Sequence, residues 1–207
     1  MAFIFYPITE IQKMKMFKLL KILLSAFIVV TLCIGCSGSA PKTKNVSGKG
    51  LAKVAADRDP VRRIVLSYNT KEKIDVTYFK NGKYNSAALK KINNIMRDKN
   101  NGKVISIDVE LIDYMVDLRK RMVLPASVEF QILSGYRSPE SNAKLAKTNS
   151  QIAKNSPHMK GWAIDFRIAG VNGKAMAEIA KTMQRGGVSY YPASNHLHID
   201  IGNIRTW

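Results

Sequence analysis

The chain has 207 residues, an apolar fraction of 46% and a formal net charge of +18 at pH 7. This length accommodates one domain with a sizeable core plus an N-terminal extension, and the apolar fraction excludes a chain that is disordered throughout. The charge favours a polyanionic partner such as nucleic acid, anionic lipid or an acidic cell-wall polymer, but a surface simply solvated by lysines explains it equally well.

Residues 1–36 are predicted to be a signal peptide. A lysine-containing stretch precedes Ile22–Ile34, a 13-residue run that is apolar apart from one serine and one threonine. A membrane-spanning helix needs about 20 apolar residues, whereas the apolar part of a signal peptide needs roughly 7–15. The run therefore predicts a signal peptide, and the rest of the chain is expected outside the cytoplasm.

The apolar run leads into Leu32-Cys33-Ile34-Gly35-Cys36-Ser37, which resembles a bacterial lipobox with Cys36 as the lipidated residue. An uncleaved membrane anchor and plain secretion are the alternatives. Both cysteines lie in this segment, so the rest of the chain has no disulfide and no cysteine-based zinc site. Residues 37–59 are rich in Gly, Ser, Lys and Pro and are predicted to be a flexible tether to a folded domain, residues 60–207.

The domain is predicted to begin with a hairpin. Arg63–Ser67 and Ile74–Phe79 have the composition of strands, and Asn81-Gly82 is a turn signal. Two helices follow, in which apolar residues recur at helical spacing. Ser86 is expected to cap the first of them and Asp108 the second.

The second half of the chain predicts more strands than helices. Ser138-Pro139 is expected to cap and open a short helix, and residues 148–157 are expected to form a polar loop. Asn172 is predicted to open a further helix, closed by Gly186-Gly187. The predicted strands are Val128–Leu133, Gly161–Ile168, Val188–Tyr191 and Leu197–Ile201. Helices that interleave with short, hairpin-joined strands indicate an α+β fold, with helices packed on a mostly antiparallel sheet.

All three histidines of the chain fall in two patches that an antiparallel sheet can bring together. Alternate residues of a strand share a face, so His196, His198 and Asp200 lie on one side of the last strand. His158 lies in the preceding loop, and Asp165 is expected opposite the residues that pack in the core: Trp162, Ile164 and Phe166. Singly, each has a structural alternative as a hydrogen-bonded or capping residue, but together they offer the ligands that a catalytic zinc takes without thiolate.

Four spaced motifs follow one another along the chain. They are Ser-Gly-Tyr-Arg-Ser-Pro (134–139), Asn-Ser-Pro-His-Met-Lys-Gly-Trp-Ala-Ile-Asp-Phe-Arg (155–167), Gly-Gly-Val-Ser-Tyr-Tyr-Pro-Ala-Ser (186–194) and His-Ile-Asp-Ile-Gly-Asn-Ile-Arg-Thr-Trp (198–207). In this order they resemble the murein endopeptidase K-like family, which belongs to the clan of zinc D-Ala-D-Ala peptidases, to which the hedgehog zinc domain is also related in fold. The resemblance covers roughly residue 61 to the C-terminus.

The resemblance implies a Zn²⁺ site with His158, Asp165 and His198 as metal ligands and water in the fourth position. Such a zinc activates water and polarises a peptide carbonyl. Arg137 matches an arginine that in the clan approaches the scissile carbonyl or a nearby substrate carboxylate, and a guanidinium suits an oxyanion. A structural ion pair at a helix start is the alternative for this arginine.

The general base has no direct counterpart in this chain. Relatives in the clan often place a carboxylate a few residues before the last histidine ligand, whereas residues 192–195 are Pro-Ala-Ser-Asn. His196 and Asp200 flank that ligand on its own face and are the candidates for moving the proton. His196 is itself a departure from the family, and its spacing resembles the hedgehog arrangement. Asp200 has an alternative role, which is to orient the ligand through its second ring nitrogen.

The sequence thus predicts a zinc-dependent peptidoglycan (murein) endopeptidase that cuts the peptide stems of the bacterial cell wall. It is expected to be an exported monomer of the periplasm or cell envelope, held to a membrane only through its N-terminal signal or lipid segment. The alternative is a catalytically inactive, zinc-containing wall-binding module. A nucleic-acid binder would explain the charge but neither the export signal nor the placement of the histidines, so no nucleic-acid partner is expected.

Overall fold

The computed structural model describes residues 59–69, 71–149 and 152–206. The signal peptide and lipobox-like segment predicted at 1–36 lie outside these residues, as does the predicted tether except for its last residue. In the described part of the chain, no helix is long and apolar enough to cross a membrane.

The described strands form one sheet of eight strands in the order β3-β2-β1-β4-β5-β7-β6-β8. Neighbouring strands are antiparallel except for two parallel pairs, β1 with β4 and β6 with β8. The strands are β1 (Val61–Tyr68), β2 (Glu72–Lys80), β3 (Lys83–Tyr84), β4 (Glu129–Ser134), β5 (Ala163–Arg167), β6 (Gly187–Tyr191), β7 (His196–Asp200) and β8 (Arg205–Thr206). The predicted α+β class and mostly antiparallel sheet are therefore confirmed.

The sequence places three of the four helix starts correctly. Asp108, Ser138 and Asn172 cap α2, α3 and α4, and each side chain accepts a hydrogen bond from a backbone N–H in the first turn. Pro139 is the first residue of α3, as predicted. The helices of the described residues are α1 (Ser86–Ile95), α2 (Val109–Arg121), α3 (Pro139–Thr148) and α4 (Gly173–Thr182), with short 3-10 turns at Pro157–Lys160 and Pro192–Ser194.

Two predicted helix boundaries are wrong. Asn85 caps α1 instead of Ser86, because its side chain accepts from the Ala88 N–H at 3.1 Å and its backbone is extended. The predicted closure of α4 by Gly186-Gly187 also fails, since α4 ends at Thr182 and Gln184 is the residue with positive φ. The two glycines lie further on, buried against β7.

The core lies between α1, α2 and α4 on one side and the strands of the sheet on the other. Ile164 and Phe166 of β5 and Leu197 and Ile199 of β7 are fully buried, and burial of such side chains stabilises the fold by about 1.5–3 kcal/mol each. The prediction that Trp162 packs with them is wrong, because Trp162 precedes β5 and remains 36% exposed. The intervening residues of β5 and β7 face the other side, where polar groups collect.

Candidate metal centre

His158, Asp165 and His198 form a cluster whose ligand atoms all lie within 4.8 Å of one another. The two imidazoles meet through His158 Nε2 and His198 Nδ1, 3.3 Å apart. Asp165 Oδ1 lies 2.7 Å from His198 Nδ1, and Asp165 Oδ2 lies 3.4 Å from His158 Nε2. Both histidines are buried. The three residues that the family resemblance implies as ligands are thus brought together.

Strand pairing supplies two of these side chains. β5 and β7 are antiparallel, and their register places Asp165 directly opposite His198. Directly opposite residues of an antiparallel pair project to the same face with Cβ atoms about 4.5–5.5 Å apart. The apolar neighbours of each residue face the core, so this register is fixed by the hydrophobic alternation of both strands.

His158 comes from the 3-10 turn Pro157–Lys160, which Gly161 ends with φ 69°. A Cβ on Gly161 would lie 2.9 Å from the Ser106 carbonyl oxygen, so both the conformation and the space require glycine. The Arg137 N–H donates to the His158 carbonyl at 3.2 Å, which ties the turn to the segment after β4. The fixed turn holds the imidazole over β5.

The hydrogen bonds on the outer nitrogens determine which ring nitrogens face the cluster. His158 Nδ1 lies 2.7 Å from the Gly135 carbonyl, which can only accept, so Nδ1 carries the proton and Nε2 presents a lone pair. His198 Nε2 lies 3.1 Å from Asp200 Oδ2, which fixes a proton on that nitrogen in the same way and leaves Nδ1 facing Asp165. This pattern of an inner nitrogen facing the other ligands and an outer N–H on an acceptor is typical of metal-ligating histidines.

Electrostatics within the cluster strongly favour the ionised carboxylate. Burial acts to raise the pKa of Asp165, but the adjacent His158 and His198 outweigh burial and hold that pKa far below its usual range. Burial acts to lower the pKa of His198, but its hydrogen bonds to Asp165 and Asp200 raise it to about 9. At neutral pH Asp165 is therefore anionic and His198 is protonated on both ring nitrogens, and a metal ion bound here would take the place of the His198 Nδ1 proton.

Asp200 is fully buried and fully hydrogen-bonded. Its Oδ1 accepts from the backbone N–H groups of Gly187 at 3.1 Å and Gly202 at 2.8 Å. Its Oδ2 accepts from Arg205 Nη2 at 2.6 Å while facing His198. Burial acts to raise the pKa of Asp200, but the hydrogen bond with His198 and those from the Gly187 and Gly202 N–H groups outweigh burial and lower it. A carboxylate held in this way orients the imidazole.

Arg205 belongs to the site although no role could be assigned to it from the sequence. Its guanidinium binds both oxygens of Asp200, with Nη1 3.2 Å from Oδ1 and Nη2 2.6 Å from Oδ2. It lies in the last of the motifs that carry the family resemblance, which is the only signal the sequence gives. The turn that folds it back onto Asp200 has no distinctive pattern.

His196 lies outside the cluster, next to it on β7. Its Nδ1 lies 2.6 Å from Ser194 Oγ, and its ring stacks on Tyr191 with centroids 4.4 Å apart. Its Nε2 has no hydrogen-bond partner among the described residues. Burial lowers the pKa of His196, and this outweighs the opposing effect of Asp165, so the ring is neutral at pH 7.

Arg137 points into the same region from the segment between β4 and α3. Its guanidinium donates to Asn142 Oδ1 at 3.2 Å and Ser134 Oγ at 3.3 Å, and it pairs with no carboxylate of the described residues. The structural ion pair weighed as an alternative is therefore not observed. Arg137 is a cation with neutral partners.

An open cleft exposes the cluster to solvent. Residues of the cluster and both arginines line it, and Tyr191 lies at its wall. The full lining is Arg137, Ile152, Ala153, Ser156, Pro157, His158, Asp165, Tyr191, His198 and Arg205. Two imidazoles and a carboxylate in a cleft are a donor set that could hold a metal ion. Fold and site together thus define the class: an α+β domain with a candidate metal centre.

Comparison with known proteins gives the family. The family model described as Peptidoglycan L,D-endopeptidase MepK (Peptidase_M15_2) matches residues 56–207. The chain belongs to this family, so the resemblance seen in its motifs is confirmed.

Curated relatives agree with the family model. The chain is 38% identical over 139 residues to the probable peptidoglycan L,D-endopeptidase MepK of Haemophilus influenzae, covering 67% of this chain and 74% of the relative. It is also 38% identical over 139 residues to the peptidoglycan L,D-endopeptidase MepK of Escherichia coli K12, covering 67% of this chain and 75% of that protein. No solved structure matches the chain.

Proposed function

We propose that this protein is a zinc-dependent endopeptidase that hydrolyses peptide cross-links of bacterial peptidoglycan. The observation that carries the proposal is the cluster of His158, Asp165 and His198 in the lining of an open cleft, where two imidazole nitrogens and one carboxylate converge. The names of the relatives support the substrate, since they are peptidoglycan L,D-endopeptidases.

The donor set fits Zn²⁺. Neutral imidazole nitrogen and carboxylate oxygen are zinc ligands, and three protein ligands leave a fourth position for water or substrate. His158 Nε2, His198 Nδ1 and a carboxylate oxygen of Asp165 would hold the ion. When bound, it supplies Lewis acidity towards a peptide carbonyl.

Three further side chains have distinct proposed roles around this centre. Arg137, a cation without a carboxylate partner in the described chain, stabilises the charge that develops on the carbonyl oxygen of the scissile peptide. Asp200 is a positioning residue, because backbone N–H groups fix its carboxylate and one of its oxygens faces the His198 ring. His196 is the candidate for moving a proton, because its ring is neutral and its Nε2 is uncommitted among the described residues.

The proposed location is the periplasm or cell envelope, where peptidoglycan lies. The predicted signal peptide at residues 1–36 supports export, and Cys36 is the proposed lipid attachment site. The net charge of +18 favours an anionic, carboxylate-bearing polymer such as peptidoglycan. The protein is proposed to act as a monomer.

The test is cleavage of purified sacculi by the full-length protein, with released muropeptides identified by mass spectrometry. Activity should vanish with chelator and return when Zn²⁺ is added back, and His158→Ala should be inactive. Full cleavage by His158→Ala would refute the mechanism. Stoichiometric zinc and binding to sacculi without released peptides would instead indicate an inactive wall-binding module.

The same assay distinguishes the two candidates for proton transfer. His196→Phe should lower kcat by about 10²–10⁴-fold, the usual contribution of general acid–base catalysis, with zinc content unchanged. Asp200→Asn should lower zinc affinity, with a smaller effect on kcat once zinc is saturating. Full kcat in His196→Phe would remove His196 from the mechanism.

A further inference from the structure

Beside the cleft of the candidate metal centre lies another depression, here called the Trp162 hollow. Three residues line both it and the cleft, namely Ala153, Pro157 and Arg205. From them the hollow extends to Lys160 and Trp162. The two depressions therefore adjoin at these residues, and a ligand at the candidate metal centre that extends past them reaches the hollow.

The backbone of Trp162 is fixed although its side chain stays exposed. Its N–H donates to the Pro157 carbonyl at 3.1 Å, and its own carbonyl accepts from the Ile201 N–H at 3.1 Å. The next residue, Ala163, is fully buried, whereas Trp162 is 36% exposed. A large ring on a rigid backbone loses little conformational freedom on binding, so it provides a preformed apolar contact surface.

Lys160 supplies positive charge at this ring. Its Nζ lies 4.7 Å from the centroid of the Trp162 ring, within the range of a cation–π contact. Lys160 forms no ion pair within the described residues, and no carboxylate lines the hollow. Arg205, in contrast, is held by Asp200. Lys160 is therefore the cation of the hollow that is available to an anionic ligand.

We propose that the Trp162 hollow binds a free carboxylate of the peptide stem at a position away from the scissile bond. Lys160 is the cationic partner of this carboxylate, and Trp162 packs against the apolar part of the stem. The inference rests on the proposed peptidoglycan substrate, whose stems carry free carboxylates. Charge decides against the glycan strand, since a neutral saccharide would contact Trp162 without using Lys160.

Binding is measured separately from cleavage. The full-length His158→Ala protein also carries Trp207→Phe, so Trp162 is its only tryptophan. Its fluorescence is followed during titration with the tetrapeptide L-Ala-D-Glu-diaminopimelate-D-Ala and with the same peptide after amidation of its carboxylates. The free-acid peptide should give a saturable change, and the amidated peptide should bind about tenfold more weakly because a charge-assisted hydrogen bond is lost.

A matched pair of lysine variants assigns the effect to the hollow. Lys160→Gln should weaken binding of the free-acid peptide about tenfold and leave binding of the amidated peptide unchanged. Lys90→Gln removes the same charge from an exposed position on α1, which packs against β1 and β2, and it should change neither affinity.

Equal affinity for the two peptides, or undiminished affinity in Lys160→Gln, would overturn the inference. A response to an uncharged N-acetylglucosamine trimer that does not depend on Lys160 would assign the hollow to the glycan and also overturn it. Cleavage of sacculi by the protein with His158 intact tests the proposed function independently. Lysine-dependent peptide binding without any cleavage would refute the proposed function and support the hollow.

Discussion

Two groups of buried charge in this fold differ in how the charge is balanced. The arginine cluster joins β1, β2 and α2 through Arg62, Tyr78, Asp113 and Asp117. Arg62 Nε lies 2.9 Å from Asp113 Oδ1, the Tyr78 hydroxyl donates to Asp113 Oδ1 at 2.7 Å, and Arg62 also pairs with Asp117. Arg62 and Asp113 are almost completely buried. Each buried charge here faces an opposite charge in fixed geometry.

The cluster of His158, Asp165 and His198 is built differently. Asp165 faces two imidazoles, and each imidazole has its outer nitrogen fixed by another acceptor, so two inner ring nitrogens and a carboxylate converge on one point. This cluster lines an open cleft, whereas the arginine cluster lies within packed strands and a helix. Both clusters bury charge, so burial of charge does not distinguish them. The candidate metal centre is distinguished by the convergence of possible metal ligands beside a cleft.

The largest expected contrast comes from one chemical change made in both clusters. Asp165→Asn removes the proposed anionic zinc ligand, so zinc content and muropeptide release should fall by more than about 100-fold, the upper range for loss of an outer-shell partner. Asp113→Asn should leave cleavage per folded molecule within about twofold, because Asp113 is not among the described residues that line the cleft. Equal loss of activity in both variants would contradict the distinction.

Removal of Arg62 should give the largest loss of stability. Arg62→Met leaves Asp113 buried without its guanidinium partner, and a broken buried pair costs about 3–5 kcal/mol. Urea unfolding at pH 7 measures this loss, and zinc content should remain stoichiometric below the transition. A loss under about 1 kcal/mol would mean that the cluster is dispensable.

Substitutions in the residues that orient His198 should have an intermediate effect, which is seen in zinc affinity. Asp200→Asn keeps the size of the side chain but removes the negative charge that strengthens its hydrogen bond with the imidazole N–H, so zinc affinity should fall about 10–100-fold. Arg205→Met should act in the same direction and less strongly, because Asp200 retains its backbone donors. Competition with a chromophoric chelator measures both affinities. Unchanged zinc affinity in Asp200→Asn would show that the ring is oriented by packing alone.

The sequence predicts the parts of this site that depend on local periodicity. Asp165 and His198 share a face because strands alternate, and their apolar neighbours fix the register. The family motifs add His158, which lies next to Asp165 and His198, and Arg137, which lines the same cleft. The outward position of Trp162 was not predictable, since it depends on β5 beginning two residues later than expected.

Contacts that depend on how turns and crossovers route the chain could not be predicted. Arg205 reaches Asp200 only because the intervening turn reverses the chain. The parallel pairing of β1 with β4 brings together strands separated by two helices, and no hairpin signal indicates it. Asp98 caps the start of α3 across 40 positions of sequence, and short-range patterns carry no such information.

Asp98 is a third kind of buried carboxylate, balanced by neutral donors alone. Its replacement should lower the stability of the fold less than Arg62→Met does. Its Oδ2 accepts from the Ser138 N–H at 2.7 Å and its Oδ1 from the Asn100 N–H at 2.8 Å. Burial acts to raise the pKa of Asp98, but hydrogen bonds from Ser141, Ser138 and Asn100 lower it to about 2, from 3.8.

The sign of its pH dependence follows from that lowered pKa. A carboxyl group with a depressed folded-state pKa stabilises the fold above its unfolded pKa of about 3.9, and this stabilisation is lost as pH falls towards the folded value. Asp98→Asn should therefore cost about 2 kcal/mol at pH 7, and the difference from wild type in urea unfolding should shrink between pH 5 and pH 2. A difference that stays constant over this range would mean that the side chain acts through its shape and its hydrogen-bonding oxygen. The charge would then contribute nothing, and Asp98 could not be grouped with the other buried carboxylates.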